Sequence, residues 1–319
     1  MSATPFFTES AAHAHDTMAP PEGLPPRLDL LRAMLLRTKR HGAPIRNVFV
    51  QLPGSGNRTS RGSVLAKFGR GTYLDAFLLI HALASAKEPY EVTYPAGTWA
   101  RALGLDENTG SDDEDLSTGK TQWSKIVRKL QDLNLIERKR AGNHVSWQLL
   151  DESGDGTAFV RPKKTADGHW FSLPEGYWLQ GHNRELSLPA KIMLLIALSS
   201  KPDFALPLER VKDWYGVSRS TAQRGFKELE EVGILTHETE WRLDPDNPRM
   251  WSEERHYALL GPYAPETIRA AMSSRRVGRN ALPPLPAEPA PDRPRTSVLE
   301  SSSAATPRRR KSKREGGEK

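Results

Sequence analysis

The stretch VSRSTAQRGFKELEEVGIL, residues 217–235, decides how this chain is read. Ser218 is a residue type whose side-chain oxygen caps helix N-termini, and Gly233 one that ends helices, so the segment predicts a helix over Arg219–Val232. At about 100 degrees per residue, Ala222, Phe226, Leu229 and Gly233 fall within one narrow arc, which marks the face to be packed. Ser220, Arg224 and Lys227 project from the opposite side, flanked by Arg219 and Gln223. These side chains carry donors suited to guanine, adenine and phosphate.

Upstream, Ser187 and Pro189 predict the start of another helix, with Ile192, Leu195, Ile196 and Leu198 as its core positions. A second helix is expected over Leu208–Tyr215, entered at Pro207 and closed by a sharp turn at Gly216. Downstream, Ile234–Leu243 and Arg255–Leu260 alternate as strands do and are joined by DPDNPRMWSE, the length of a hairpin wing. Helix, helix, turn, helix, strand, wing and strand is the order of a winged helix-turn-helix.

The same pattern occurs earlier in the chain. FLLIHAL at 77–83 resembles MLLIALS at 193–199, and LQDLNLI at 130–136 matches LEEVGIL at 229–235. The first copy predicts helices over Thr72–Ala86, Ala96–Leu103 and Lys120–Leu133. Displaced by 99 positions, Thr121, Lys125 and Arg128 stand where the second copy has Ser220, Arg224 and Lys227, while Trp123, Val127 and Leu130 replace its packed residues. The hairpin IERKRAGNHVSWQLL turns at Ala-Gly-Asn and carries Arg138, Lys139 and Arg140, positions from which a wing straddles phosphates. The acidic run Asp106–Asp115 lengthens this copy and is expected as a solvated loop. Trp99, Trp147, Trp178 and Trp214 are expected as core or hairpin aromatics.

Outside the repeats, residues 1–26 show no sustained period and are expected to be disordered. Residues 27–63 form a short N-terminal segment, with an amphipathic helix on Leu28, Leu31, Met34 and Leu35 and a strand over Asn47–Leu52. The first winged-helix domain is assigned to 64–152, a linker to 153–185 and the second domain to 186–265. Residues 275–319 are Pro/Ala-rich, end in the basic run RRRKSKR and are expected to be a disordered basic tail.

Composition narrows the function classes. The 319-residue chain has a formal charge of +7 and a pI near 9.5, which favours a polyanionic partner. It has no cysteine, which excludes disulfides, thiolate zinc sites and a cysteine nucleophile. TGKT at 118–121 lacks the upstream glycine of a phosphate-binding loop, Gly154-Asp155-Gly156 lacks the third glycine of a dinucleotide fingerprint, and the histidines have no metal-ligand spacing. No apolar run reaches bilayer length and no signal peptide is expected. The expectation is therefore a cytoplasmic, nucleoid-associated protein that is not an enzyme, needs no cofactor and has no membrane partner.

Residues 217–235 resemble the recognition-helix segment of GntR-type regulators, and the resemblance assigns DNA contact to Arg219, Ser220, Gln223 and Arg224. The unit lies in the C-terminal half, is duplicated upstream and is followed by no effector domain, so a shared DNA-binding mode is implied and a metabolite sensor is not. The tandem layout also resembles plasmid replication initiators and regulators from actinobacterial mobile elements. The sequence thus predicts a helix-rich α+β protein with two winged helix-turn-helix domains and disordered termini, binding double-stranded DNA for transcription regulation. Three alternatives stay open: a replication initiator on origin repeats, a partition or nucleoid adaptor using its winged helices for protein contacts, and a homodimer as the binding form.

Overall fold

The computed structural model describes residues 26–38, 40–51, 63–106, 112–142, 144–162 and 169–273. The expectations for residues 1–25 and for the tail beyond 273 lie outside these, as do residues 52–62. All described residues belong to one compact α+β unit of helices and small antiparallel sheets.

The chain opens with α1 (Arg27–Leu36), whose Leu30, Leu31, Met34 and Leu35 are buried. Strand β1 (Gly42–Arg46) follows, five to six residues before the predicted strand; Asn47–Phe49 instead form a single 3-10 turn. The correction has a non-local cause, because the partner of Gly42–Arg46 is β5 (Trp170–Pro174), more than 120 residues away. Phe49 is driven inward from the turn and packs against Phe68 and Phe77.

The first repeated block comprises α2 (Gly71–Leu83), β2 (Glu91–Val92), α3 (Ala96–Leu103), α4 (Asp112–Asp132), β3 (Ile136–Ala141) and β4 (His144–Leu149). Its sheet has the order β2-β4-β3. Helix α4 starts eight residues before the predicted position, so 112–115 of the acidic run are helix and not loop. Aspartates and glutamates favour a helix N-terminus, where the backbone dipole is positive. Farther along α4, Gly119 lies so close to Ala100 of α3 that a Cβ there would meet Ala100 Cβ at 2.9 Å, so the glycine of TGKT is a helix-crossing residue. Trp123 stacks on Trp99 at 4.9 Å and meets Trp147 edge-on at 6.0 Å, locking α3, α4 and β4 together.

Residues 153–185, read from sequence as a linker, carry β5 and two single-turn helices, α5 (Gly176–Leu179) and α6 (His182–Glu185), where Trp178 is buried. The second block then repeats the order: α7 (Leu188–Ser199), β6 (Phe204–Ala205), α8 (Val211–Tyr215), α9 (Arg219–Glu231), β7 (Leu235–Leu243) and β8 (Trp251–Leu259), with sheet order β6-β8-β7. Ser187 and Ser218 accept backbone N–H bonds from Ala190 and Thr221, capping α7 and α9 as the sequence predicts. Helix α8 is shorter than predicted because Pro207–Arg210 closes as a turn. Strand β8 begins four residues early, within the expected wing loop. Gly104 and Gly216 take left-handed conformations (φ 67° and 71°) between the second and third helices of their blocks, a geometry glycine adopts without steric cost. The short strands β2 and β6 are missed by sequence periodicity; two residues are too few to show one. A last helix, α10 (Pro265–Ser273), closes the described chain.

Equivalent parts of the two blocks meet. Strands β1 and β5 precede α2 and α7, pack against them, and pair antiparallel with Pro44 opposite Ser172. Asp75 in α2 and Lys191 in α7 occupy matching positions of the repeat, and Lys191 Nζ donates to Asp75 Oδ2 at 2.7 Å. The antiparallel strand pair and this contact between equivalent helix residues join the two blocks. The buried junction is completed by Tyr177 Oη, which donates to Asp75 Oδ1 at 2.6 Å, and by Asn183 O, which accepts from Lys191 Nζ at 2.7 Å. Burial pushes the Asp75 carboxyl pKa up, with the Lys191 ammonium opposing it. A second buried cluster joins β1 to the first block: Glu152 accepts from Arg46 Nε at 2.5 Å and shares a hydrogen bond with His81 Nε2 at 2.9 Å.

Candidate nucleic-acid interface

Helix α4 buries Trp123, Ile126, Val127 and Leu130, which fixes its outward face. Thr121, Lys125 and Arg128 are all exposed and fall within an arc of roughly 60 degrees opposite the buried residues. Thr121 Oγ1 donates to Ser117 O at 3.1 Å, which turns its hydroxyl back to its own helix. Neither Lys125 nor Arg128 forms an ion pair with any described residue.

The strand register sorts the three basic residues of β3. Ile136, Arg138 and Arg140 lie opposite Leu149, Trp147 and Val145, and Trp147 packs on Trp123 of α4. Because side chains alternate across a strand, Arg138 and Arg140 stand on the α4 side of the hairpin. Lys139 stands on the other side, ion-paired to Glu137 at 2.7 Å. Arg138 and Arg140 thus share the α4 side of the hairpin, and Lys139 stands on its other side.

The second block presents its residues differently. Arg219, Ser220, Gln223, Arg224 and Lys227 are all exposed on α9, as the helical period requires. Their charges are largely answered nearby: Arg219 pairs with Glu209 at 3.4 Å and Lys227 with Glu231 at 3.6 Å, and Arg224 Nε donates to Ser220 O at 3.4 Å. Arg219 and Gln223 border a cleft of about 490 Å³ whose other walls include Glu209, Glu253 and Glu254. Where the first hairpin has Arg138, Lys139 and Arg140, the second has His237, Glu238 and Thr239. His237 is bound to Glu230 at 2.6 Å, and the arginines of the two hairpin strands, Arg242 and Arg255, pair with Glu254 and Glu253. The two copies share a backbone plan and differ in surface charge, a difference legible in the sequence only once the register is known.

The four tryptophans expected as core or hairpin aromatics are packed. Trp99, Trp147 and Trp178 are buried and Trp214 is half-buried. Gly233 is exposed, with φ 72°; it terminates α9 and does not belong to its packed face. Gly225, which the sequence pattern does not single out, is the true crossing point: a Cβ there would lie 2.5 Å from Pro189 O and 2.6 Å from Met193 Cγ of α7. Among the described residues no group of three or more His, Asp or Glu side chains could hold a metal ion, and no helix is long and apolar enough to cross a membrane. Comparison with protein families, curated proteins and solved structures gives no match to this chain.

Proposed function

We propose that each repeated block is a winged helix-turn-helix and that the chain is a sequence-specific double-stranded DNA-binding protein acting in transcription regulation. The supporting observation is that Lys125 and Arg128 on α4, and Arg138 and Arg140 on the adjoining hairpin, are four exposed cations without a carboxylate partner among the described residues. Exposed cations suit the phosphates of a duplex, and a helix beside a basic ribbon suits a major groove. The first block supplies most of the phosphate contact in this reading. Ser220, Gln223 and Arg224 of α9 supply a second, less charged reading face. The repetition of the block favours a site with two half-elements.

The test is selection of bound duplexes from a random library with the full chain, followed by salt titration on the enriched sequence and on random DNA. A defined motif is expected, with a log-log salt slope on the order of −5 if about six phosphates are neutralised. Failure to enrich any motif, together with salt-insensitive binding, overturns the proposal.

A further inference from the structure

We infer that the second hairpin is a self-association surface, in which strand β7 pairs antiparallel with β7 of a second copy of this chain, centred on Trp241. The outer half of the hairpin stands away from the core. Trp241 is 65% exposed, Leu243 60%, and Met250 and Trp251 51% each, an apolar group too large to be scattered surface residues. It adjoins Glu238, Glu240, Glu253 and Glu254, which disfavours a phosphate backbone as the occupant.

Backbone geometry makes a strand the fitting occupant. Strand β7 lies at the edge of the sheet. Its register with β8 is unbroken from Leu235 to Leu243, and at its two ends Leu260 N–H donates to Ile234 O (2.8 Å) and Asp244 N–H to Met250 O (2.9 Å). The even-numbered positions of β7 therefore face β8, and the odd-numbered ones, Thr239, Trp241 and Leu243, point their N–H and C=O groups at the open edge. An unprotected edge of this kind is a template for another strand.

Charge selects both the second copy and the register. Centred on Trp241, the pairing sets Glu240 opposite Arg242 of the second copy, twice, and brings the two Trp241 side chains together with Leu243 beside Thr239 of the second copy. Moving the centre to Thr239 sets Glu238 against Glu240 twice and is repulsive. In the favoured register Glu238 stands opposite Asp244 of the second copy, twice, but Asp244 lies just beyond the end of β7, so the central pairs outweigh it. Glu-Trp-Arg thus reads as complementary to itself when reversed. The inference concerns assembly and stands independently of DNA binding.

Sedimentation velocity of the full chain across micromolar concentrations tests it. The wild type is expected to form a concentration-dependent dimer. Glu240→Arg and Arg242→Glu each turn two attractive pairs into repulsive ones and should weaken it on the order of tenfold or more. The double variant Glu240→Arg/Arg242→Glu should restore it, and an equimolar mixture of the two single variants should form a heterodimer. Thr239→Pro removes an outward N–H without breaking the β7–β8 ladder and should also abolish the dimer. A wild type that stays monomeric, or a dimer indifferent to all these substitutions, overturns the inference.

Discussion

Removing Lys125, Arg128, Arg138 and Arg140 together, as the quadruple alanine variant, isolates the electrostatic part of the proposed function. Each neutralised phosphate contributes roughly −0.9 to the slope of log affinity against log salt, so loss of four contacts should flatten the slope by about 3.6. Over a fourfold rise in salt this amounts to about two decades of affinity that the variant no longer loses. The structure makes the comparison clean, because the four side chains are exposed and form no ion pair with described residues, so their truncation should change stability by less than about 0.5 kcal/mol per site. Fluorescence anisotropy on a random duplex, at salt from about 50 to 200 mM, measures the slope, and a thermal melt verifies the fold. The control replaces Arg219, Lys227 and Arg255, which are held by Glu209, Glu231 and Glu253. Its slope should change by less than about 1. A stably folded quadruple variant with the wild-type slope, or a control set with the larger effect, would refute the assignment of the first block as the main phosphate-binding surface.

Two further predictions concern the scaffold. Gly225→Ala places a methyl group 2.5 Å from the Pro189 carbonyl oxygen, a backbone atom that cannot turn aside. The variant should lose about 1–3 kcal/mol in a urea melt, and a loss below about 0.5 kcal/mol would mean that α7 and α9 do not cross there. Asp75→Ala leaves the Lys191 ammonium, 4% exposed, without its counter-charge and should cost about 3–5 kcal/mol. Asp75→Leu combined with Lys191→Met should recover most of that; equal damage in the single and double variants would show that volume, not charge, governs the junction.

What the sequence determined by itself is local and periodic. The caps at Ser187 and Ser218, the turn at Gly216, the buried arcs of α4 and α9 and the first hairpin turn follow from side-chain types at helical or strand spacing, and the repeat is visible as matching apolar words. The exposure of all the named basic residues follows from the same period. Tertiary structure decided whatever depends on partners far along the chain. The pairing of Gly42–Arg46 with Trp170–Pro174 turned an expected linker into the seam between the blocks, and no local pattern encodes it. The strand register separated Arg138 and Arg140 from Lys139, and it set the acids of the second hairpin beside its cations. Most of all, the fold placed Asp75 against Lys191. Each is an unremarkable charge on an apolar helix when read alone. Brought together at equivalent positions across the seam, they let one copy of the repeat pair with the other and oppose pairing of like with like, because two buried charges of the same sign repel strongly in a low-dielectric site.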